Sequence, residues 1–191
     1  MQGTAEWHAL RCGRVTASRL ADVLGTPTAR RNYWLEILWE RDTGQPKPAA
    51  SSAALEWGHA QEPNARAAYE FAAGVDVEEV DFIVHPEFDW LGGSPDGLVG
   101  DGGIIEIKSP YNGANHLETV LSGMPKKHMP QVQGLLWITG RDWCDFISYH
   151  PDYSPMPCYI ERVSRDDGYI AEMEQKAREF WEHVTERRVP K

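Results

Sequence analysis

Ser94-Pro95-Asp96-Gly97-Leu98-Val99-Gly100-Asp101-Gly102-Gly103-Ile104-Ile105-Glu106-Ile107-Lys108 is the stretch on which the reading of this chain turns. Residues 98–99 and 104–108 are short apolar runs of the kind that form strands. Between them, residues 100–103 tolerate positive φ, as a hairpin loop requires. Pairing the strands about that loop sets Asp96 across from Ile107, give or take one residue, so its carboxylate approaches that of Glu106. Side chains alternate along a strand, so Glu106 and Lys108 share one face while Ile107 turns to the other, toward the core. Ile104 and Ile105 lead straight into Glu106, which places an acid at the end of a buried strand, where an unpaired charge is costly unless a cation joins it. Two carboxylates with a free backbone carbonyl suit magnesium, which prefers hard oxygen ligands and keeps several waters. An ammonium beside them can orient a metal-held water and offset charge building on phosphorus. Each half also has an ordinary reading, Pro-Asp-Gly as a turn and Glu-Ile-Lys as a solvated strand edge. Both halves joined by one hairpin are far less expected by chance.

Upstream of this stretch the hydrophobic period is helical. Residues 7–10 begin a short apolar-patterned segment, and Thr16-Ala17-Ser18 leads into Leu20, Val23 and Leu24, the spacing of one helix face starting at a hydroxyl cap. Gly25-Thr26-Pro27 marks a turn. Tyr33, Trp34, Ile37 and Leu38 predict a helix to about Arg41, and residues 44–52 read as a loop. A third helix is expected over residues 53–73, with a break or restart at Glu62-Pro63 because proline removes a backbone donor and crowds the preceding turn. Strands follow at 82–84 and 90–91. Downstream, helices are expected at 114–122 and 130–139, strands at 143–149 and 158–163, and a closing helix capped by Ser164 with its stripe on Tyr169, Ile170, Met173, Ala177, Phe180, Trp181 and Val184. The fold class predicted is α/β, a mixed central sheet flanked by helices, in one domain over residues 1–191.

Composition narrows the function classes. A chain of 191 residues with 41% hydrophobic residues can bury one sizeable core. Cys12, Cys144 and Cys158 are odd in number and lack a Cys-x-x-Cys pair, which argues against a disulfide framework and a thiolate zinc site and favours a reducing cytoplasm. Residues 1–10 contain Glu6, Trp7 and His8 instead of a basic stretch leading into an apolar run, and no apolar run approaches ~18 residues. The expectation is a protein neither exported nor membrane-spanning. Nineteen Lys plus Arg against 29 Asp plus Glu give a net charge of -10. That opposes binding a polyanion, unless acids hold divalent metals and the basic residues gather in one channel.

The ordered set Asp96, hairpin, Glu106-x-Lys108 resembles the PD-(D/E)xK nuclease superfamily, with its restriction-endonuclease-like fold. More narrowly, the chain is similar to the lambda exonuclease (YqaJ-like) family of viral recombination nucleases. The match runs through Trp7-His8, Leu10-Arg11, Thr16-Ala17-Ser18, Gly58-x-x-x-Glu62, Ser94-Pro95-Asp96-Gly97, Glu106-Ile107-Lys108 and Gln131-Val132-Gln133. The resemblance implies a magnesium-dependent 5'-to-3' exonuclease on double-stranded DNA that releases 5'-mononucleotides and leaves a 3' single-stranded tail. It further implies a homotrimeric ring, a single-strand annealing recombinase as partner, manganese as a possible substitute for magnesium, and a phage or prophage origin in a bacterial host.

By the same resemblance, Asp96, Glu106 and the carbonyl of Ile107 would hold one Mg2+, Glu62 would help hold a second, and Lys108 with Gln131 would position the attacking water. Arg11, Ser18 and Ser94 would bind the 5'-phosphate of the DNA end, with Trp7 near that end. Read locally, Glu62 equally serves as the cap of a restarted helix and Gln131 as a surface amide. Arg11, Ser18 and Ser94 have ordinary readings as a surface guanidinium, a helix cap and a turn residue, and Trp7 as core. Arg14, Arg30, Arg31, Lys126, Lys127 and His128 are the candidates for DNA backbone contacts. The family's basic loop after the first helix is matched only loosely, by residues 26–31. Rival readings are a related superfamily nuclease, including one that cuts internally, and a DNA-end-binding module without turnover.

Overall fold

The strand that carries Glu106 and Lys108 is β5 (Gly103–Lys108), and it lies inside a four-stranded sheet. This computed structural model describes residues 4–47 and 52–190. β4 (Gly97–Val99) pairs antiparallel with β5, Gly97 opposite Ile105 and Val99 opposite Gly103. β6 (Trp143–Tyr149) lies parallel on the other side of β5, and β7 (Cys158–Ser164) runs antiparallel to β6, giving the order β4-β5-β6-β7. The hairpin turns at Gly100, whose φ of 52° a side chain would strain. Arg141 pins the loop by donating to the carbonyls of Gly100 and Gly103, both at 2.7 Å.

A second, three-stranded sheet is built from β1 (Val15–Thr16), β2 (Ile83–Val84) and β3 (Leu91–Gly93) in the order β1-β3-β2. The predicted α/β class with mixed strand directions is present, and the strands are divided between these two sheets. Between the end of β3 and the start of β4 lie only Ser94, Pro95 and Asp96. The chain therefore passes from one sheet to the other at the motif itself.

Helices cover both faces. Ile105 and Ile107 point to α4 (Ala53–Ala73) and pack with Ala65 and Tyr69. Ile104 and Phe146 face the opposite way, into the larger core formed with α2 (Leu20–Val23), α3 (Pro27–Thr43), α6 (Met129–Thr139) and α7 (Asp167–Thr185). The remaining helices are α1 (Ala5–Arg11) and α5 (Gly113–Ser122). Among the described residues no helix is long and apolar enough to cross a membrane.

Three local expectations are corrected. α4 does not break at Pro63 but runs unbroken from a Ser52 cap to Gly74, whose φ is 67°. Burial of Ala65 and Tyr69 against the sheet outweighs the proline's local cost of about 3 kcal/mol. Glu62 is therefore not the cap of a restarted helix. The cap of α7 is Asp166, which accepts from the Tyr169 N–H at 2.9 Å, while Ser164 closes β7 opposite Trp143. Thr16-Ala17-Ser18 opens a short 3-10 turn (Ala17–Arg19) that has no side-chain cap, and the Thr16 N–H donates to the Tyr33 hydroxyl at 3.0 Å. The Ser18 hydroxyl is thereby left out of helix capping and open to the cavity described next. The predicted loop 44–52 falls partly outside the described residues.

Candidate active site

Glu106 is 1% exposed. Its Oε1 accepts from Lys108 Nζ at 2.5 Å, while its Oε2 is buried with no hydrogen-bond partner among the described residues. Asp96 approaches from the neighbouring strand: its N–H donates to the Ile105 carbonyl at 3.1 Å and its Oδ2 accepts from the Ile107 N–H at 2.6 Å. The sequence register was thus correct to within a residue. Burial first, and then the charge of Glu106, drives the Asp96 carboxyl well above the usual carboxylate range, against the opposing pull of Lys108 and the Ile107 N–H. Burial also opposes the charge on Lys108, but Glu106 and Asp96 outweigh it and hold the amine above its ordinary value. Lys108 Nζ further reaches Gln131 Oε1, from α6, at 3.4 Å.

This donor set fits a hard divalent cation. Lys108 is a single cation beside the two carboxyls, and it leaves the buried Glu106 Oε2 without a hydrogen-bond partner among the described residues, so the pair has room for a further positive charge. Among the described residues no three carboxylate, imidazole or thiolate side chains close on a single point. Asp96 and Glu106, with the Ile107 carbonyl, are the residues that would hold such an ion, water completing a shell of the sparse protein ligation usual for magnesium.

One cavity of about 430 Å³ gathers most of the residues singled out in the sequence: Trp7, Arg11, Ser18, Glu62, Ser94, Asp96, Glu106, Ile107, Lys108 and Gln131. Trp7 is not core; its indole N–H donates to Ser94 Oγ at 2.9 Å, and the Arg11 guanidinium lies 4.0 Å from its ring centre. That cation–π contact is the only partner Arg11 has besides long-range charges, since among the described residues its guanidinium makes no hydrogen bond or ion pair. Burial lowers the Arg11 pKa from its usual value, so the cation is poorly solvated as well as unpaired. A larger adjoining cavity of about 1190 Å³ shares Trp7, Arg11, Glu62 and Asp96 and adds Arg14, Arg19, Lys47 and Arg66. Arg14 is tied by its guanidinium to the carbonyls of Asp89 and Leu10.

The other basic candidates line neither cavity. Thr26 caps α3 and Pro27 is its first residue, so residues 26–31 form the opening of a helix, with Arg30 half-buried and Arg31 exposed on it. Lys126 and Lys127 are exposed on a short 3-10 turn (Lys126–His128). His128 packs against Phe146 with ring centres 5.3 Å apart. Burial, aided by Lys108 and Lys127, pushes its pKa down to about 4, so it is uncharged at neutral pH and brings no cation to a phosphate. Sequence reasoning missed Arg66, whose only signal was its spacing of four residues from Glu62. It also missed Ser109, whose hydroxyl is buried at the cavity wall with no hydrogen-bond partner among the described residues.

Residues 6–142 match the YqaJ-like viral recombinase domain. The chain belongs to this family. Among curated proteins, no sequence matches. An alkaline exonuclease, LHK-Exo from Laribacter hongkongensis, is 42% identical, with 96% of this chain and 94% of that one covered and a TM-score of 0.91. The same exonuclease in complex with dAMP aligns at 44% identity, with the same coverage and a TM-score of 0.92. A phage-related exonuclease from Haemophilus somnus 129PT shares the fold at 16% identity, TM-score 0.71, covering 90% of this chain and 93% of that one. This YqaJ-like chain therefore has the PD-(D/E)xK fold and is a nuclease homologous to alkaline exonucleases.

Proposed function

We propose that this protein is a magnesium-dependent exonuclease that degrades double-stranded DNA from a 5'-phosphorylated end, releasing 5'-mononucleotides and leaving a 3' single-stranded tail. The observation that carries the reading is the buried, unpartnered Oε2 of Glu106 beside Asp96, with the Lys108 ammonium on the same carboxylate. Asp96, Glu106 and the Ile107 carbonyl would hold one divalent cation and Glu62 would help hold a second. Bound there, such a cation supplies Lewis acidity to a phosphoryl oxygen and makes water a nucleophile near neutral pH.

The chain's own groups supply the rest. Lys108 stays protonated beside two acids, so it donates to an attacking water and offsets negative charge gathering on phosphorus, while Gln131 fixes the amine from the far side. Arg11 offers a planar two-pronged donor that makes no hydrogen bond or ion pair among the described residues, and Ser18 and Ser94 bring hydroxyls to the same cavity, a combination suited to a terminal phosphate. Trp7 presents a ring that can stack on the terminal base. A nucleoside monophosphate is the ligand named with the LHK-Exo relative, which supports mononucleotide release. Assembly as a trimeric ring, with an annealing recombinase to receive the 3' tail, completes the proposal; manganese is expected to replace magnesium.

Degradation of an end-labelled linear duplex, with and without a 5'-phosphate and in magnesium or chelator, tests polarity, end recognition and metal need together. The expected result is label release from the 5' end, faster with the phosphate, absent in chelator, and reduced on the order of 10²-fold or more in Lys108→Ala. Release from the 3' end, efficient cutting of closed circular duplex, or full activity of Lys108→Ala would contradict the reading.

A further inference from the structure

Glu62, on the wall of both cavities, is held by a neighbour on its own helix. Arg66, one turn further along α4, donates from Nη2 to Glu62 Oε1 at 2.9 Å and to the backbone carbonyl of Asp96 at 3.3 Å, while Nη1 pairs with Glu79 at 3.0 Å. Its side chain is 13% exposed, which sets it apart from the solvated i,i+4 pairs that contribute little. Its Nε is buried without a hydrogen-bond partner among the described residues, so the guanidinium is oriented for its Nη contacts. One planar group thus ties the Glu62 carboxylate on α4 to the backbone of Asp96, which lies 30 residues beyond Arg66 in the sequence. Asp96 is fixed toward β5 by the Ile105 and Ile107 contacts and toward α4 by Arg66.

We propose that Arg66 is a positioning residue of the active centre, which sets the placement of Glu62 against Asp96 by restraining one oxygen of Glu62. The inference rests on the reading of Glu62 as a ligand of the second divalent cation. Partners behind a metal ligand typically govern affinity by 10- to 100-fold. Lysine cannot replace the arginine, because a point charge on a flexible stem does not reach two acceptors from one rigid plane. Arg66 touches neither substrate nor the reacting atoms; it acts through the two acids.

Arg66→Lys and Arg66→Gln, alone and combined with Glu62→Gln, separate this role from a structural one. Circular dichroism establishes native folding of each protein. Two quantities are then measured: the exonuclease rate against magnesium concentration, and Mn2+ binding by electron paramagnetic resonance. The expected result is that Arg66→Lys moves the magnesium midpoint up about tenfold with most of the saturating rate recovered. The weaker Mn2+ site should loosen by a similar factor, and no further shift should appear on the Glu62→Gln background. An unshifted midpoint in both Arg66 variants, with Glu62→Gln still weakening Mn2+ binding, overturns the inference and spares the reading of Glu62. A rate loss that is independent of metal concentration and adds to that of Glu62→Gln also overturns it, leaving Arg66 as fold support. Unchanged Mn2+ binding in Glu62→Gln removes the reading of Glu62 and the inference with it.

Discussion

At Asp96 and Glu106 the protein keeps two acids at the end of a buried strand with one ammonium on hand, an arrangement that serves a cation better than it serves folding. Asp96 has its pKa raised by burial and then by Glu106, so the folded chain holds that proton more tightly than the unfolded chain does. By linkage, the metal-free protein loses stability as pH climbs from the ordinary aspartate value of about 3.9 through the raised one. Asp96→Asn removes the charge and keeps an oxygen for the Ile107 N–H. In chelator at neutral pH it should unfold at a higher temperature than the wild type, with a flatter dependence on pH above the carboxylate range. It should also lose activity and gain no stability from added magnesium. A variant less stable than the wild type in chelator would mean that the acid pair carries no such tension.

At the level of elements, two close approaches hold the layers that carry the site. A Cβ built on Gly134 of α6 would lie 2.3 Å from a Leu20 methyl, and one on Gly93 of β3 would lie 2.7 Å from Leu135 and 2.9 Å from Ala17. Gly134→Ala should therefore cost about 1–3 kcal/mol from overpacking, more than the roughly 0.5–1 kcal/mol that alanine gains over glycine within a helix. Urea unfolding reads this as a lower midpoint; a raised midpoint would show that Leu20 yields freely. Such contacts explain which parts of the fold the sequence disclosed. The β4-β5 register was legible because the loop at residues 100–103 fixes the pairing, and Glu106 was legible because Ile104 and Ile105 bury the strand beneath it. The continuity of α4 through Pro63 was hidden, because packing against β5 and β6 decides it. The α7 cap was misplaced because both Ser164 and Asp166 have cap chemistry and only the β6-β7 pairing tells them apart. Trp7 was placed near the DNA end by resemblance while its local pattern read as core, because nothing local reveals that its N–H meets Ser94, 87 residues away. Arg66 lay unseen because an i,i+4 pair says nothing of the Asp96 carbonyl it also reaches.

Taken as a whole, the molecule carries a net charge of -10 and gathers several cations on the walls of two adjoining cavities. Arg19 and Lys47 there are neutralised by Glu36, Arg66 by Glu62 and Glu79, and Lys108 by Glu106, while Arg14 is tied to backbone carbonyls; among the described residues on these walls Arg11 is the guanidinium with neither an ion pair nor a hydrogen bond. Attraction to DNA should accordingly be local, with few phosphates neutralised. In anisotropy titrations with Ca2+ in place of Mg2+, Arg11→Ala should lower the log–log salt slope by about one for a 5'-phosphorylated duplex and leave a 5'-hydroxyl duplex unchanged. Equal weakening on both duplexes would assign Arg11 to general backbone contact.

The central claim is that the Asp96 and Glu106 carboxylates share a divalent cation, and manganese-soaked crystals test it most directly. Anomalous scattering is predicted to place an ion within coordinating distance of Asp96, Glu106 and the Ile107 carbonyl, with Glu106 Oε2 directed at it and the peak lost in Asp96→Asn. Manganese bound elsewhere on the chain, with the space between the two acids holding only water and Lys108 still closed on Glu106, would contradict the account.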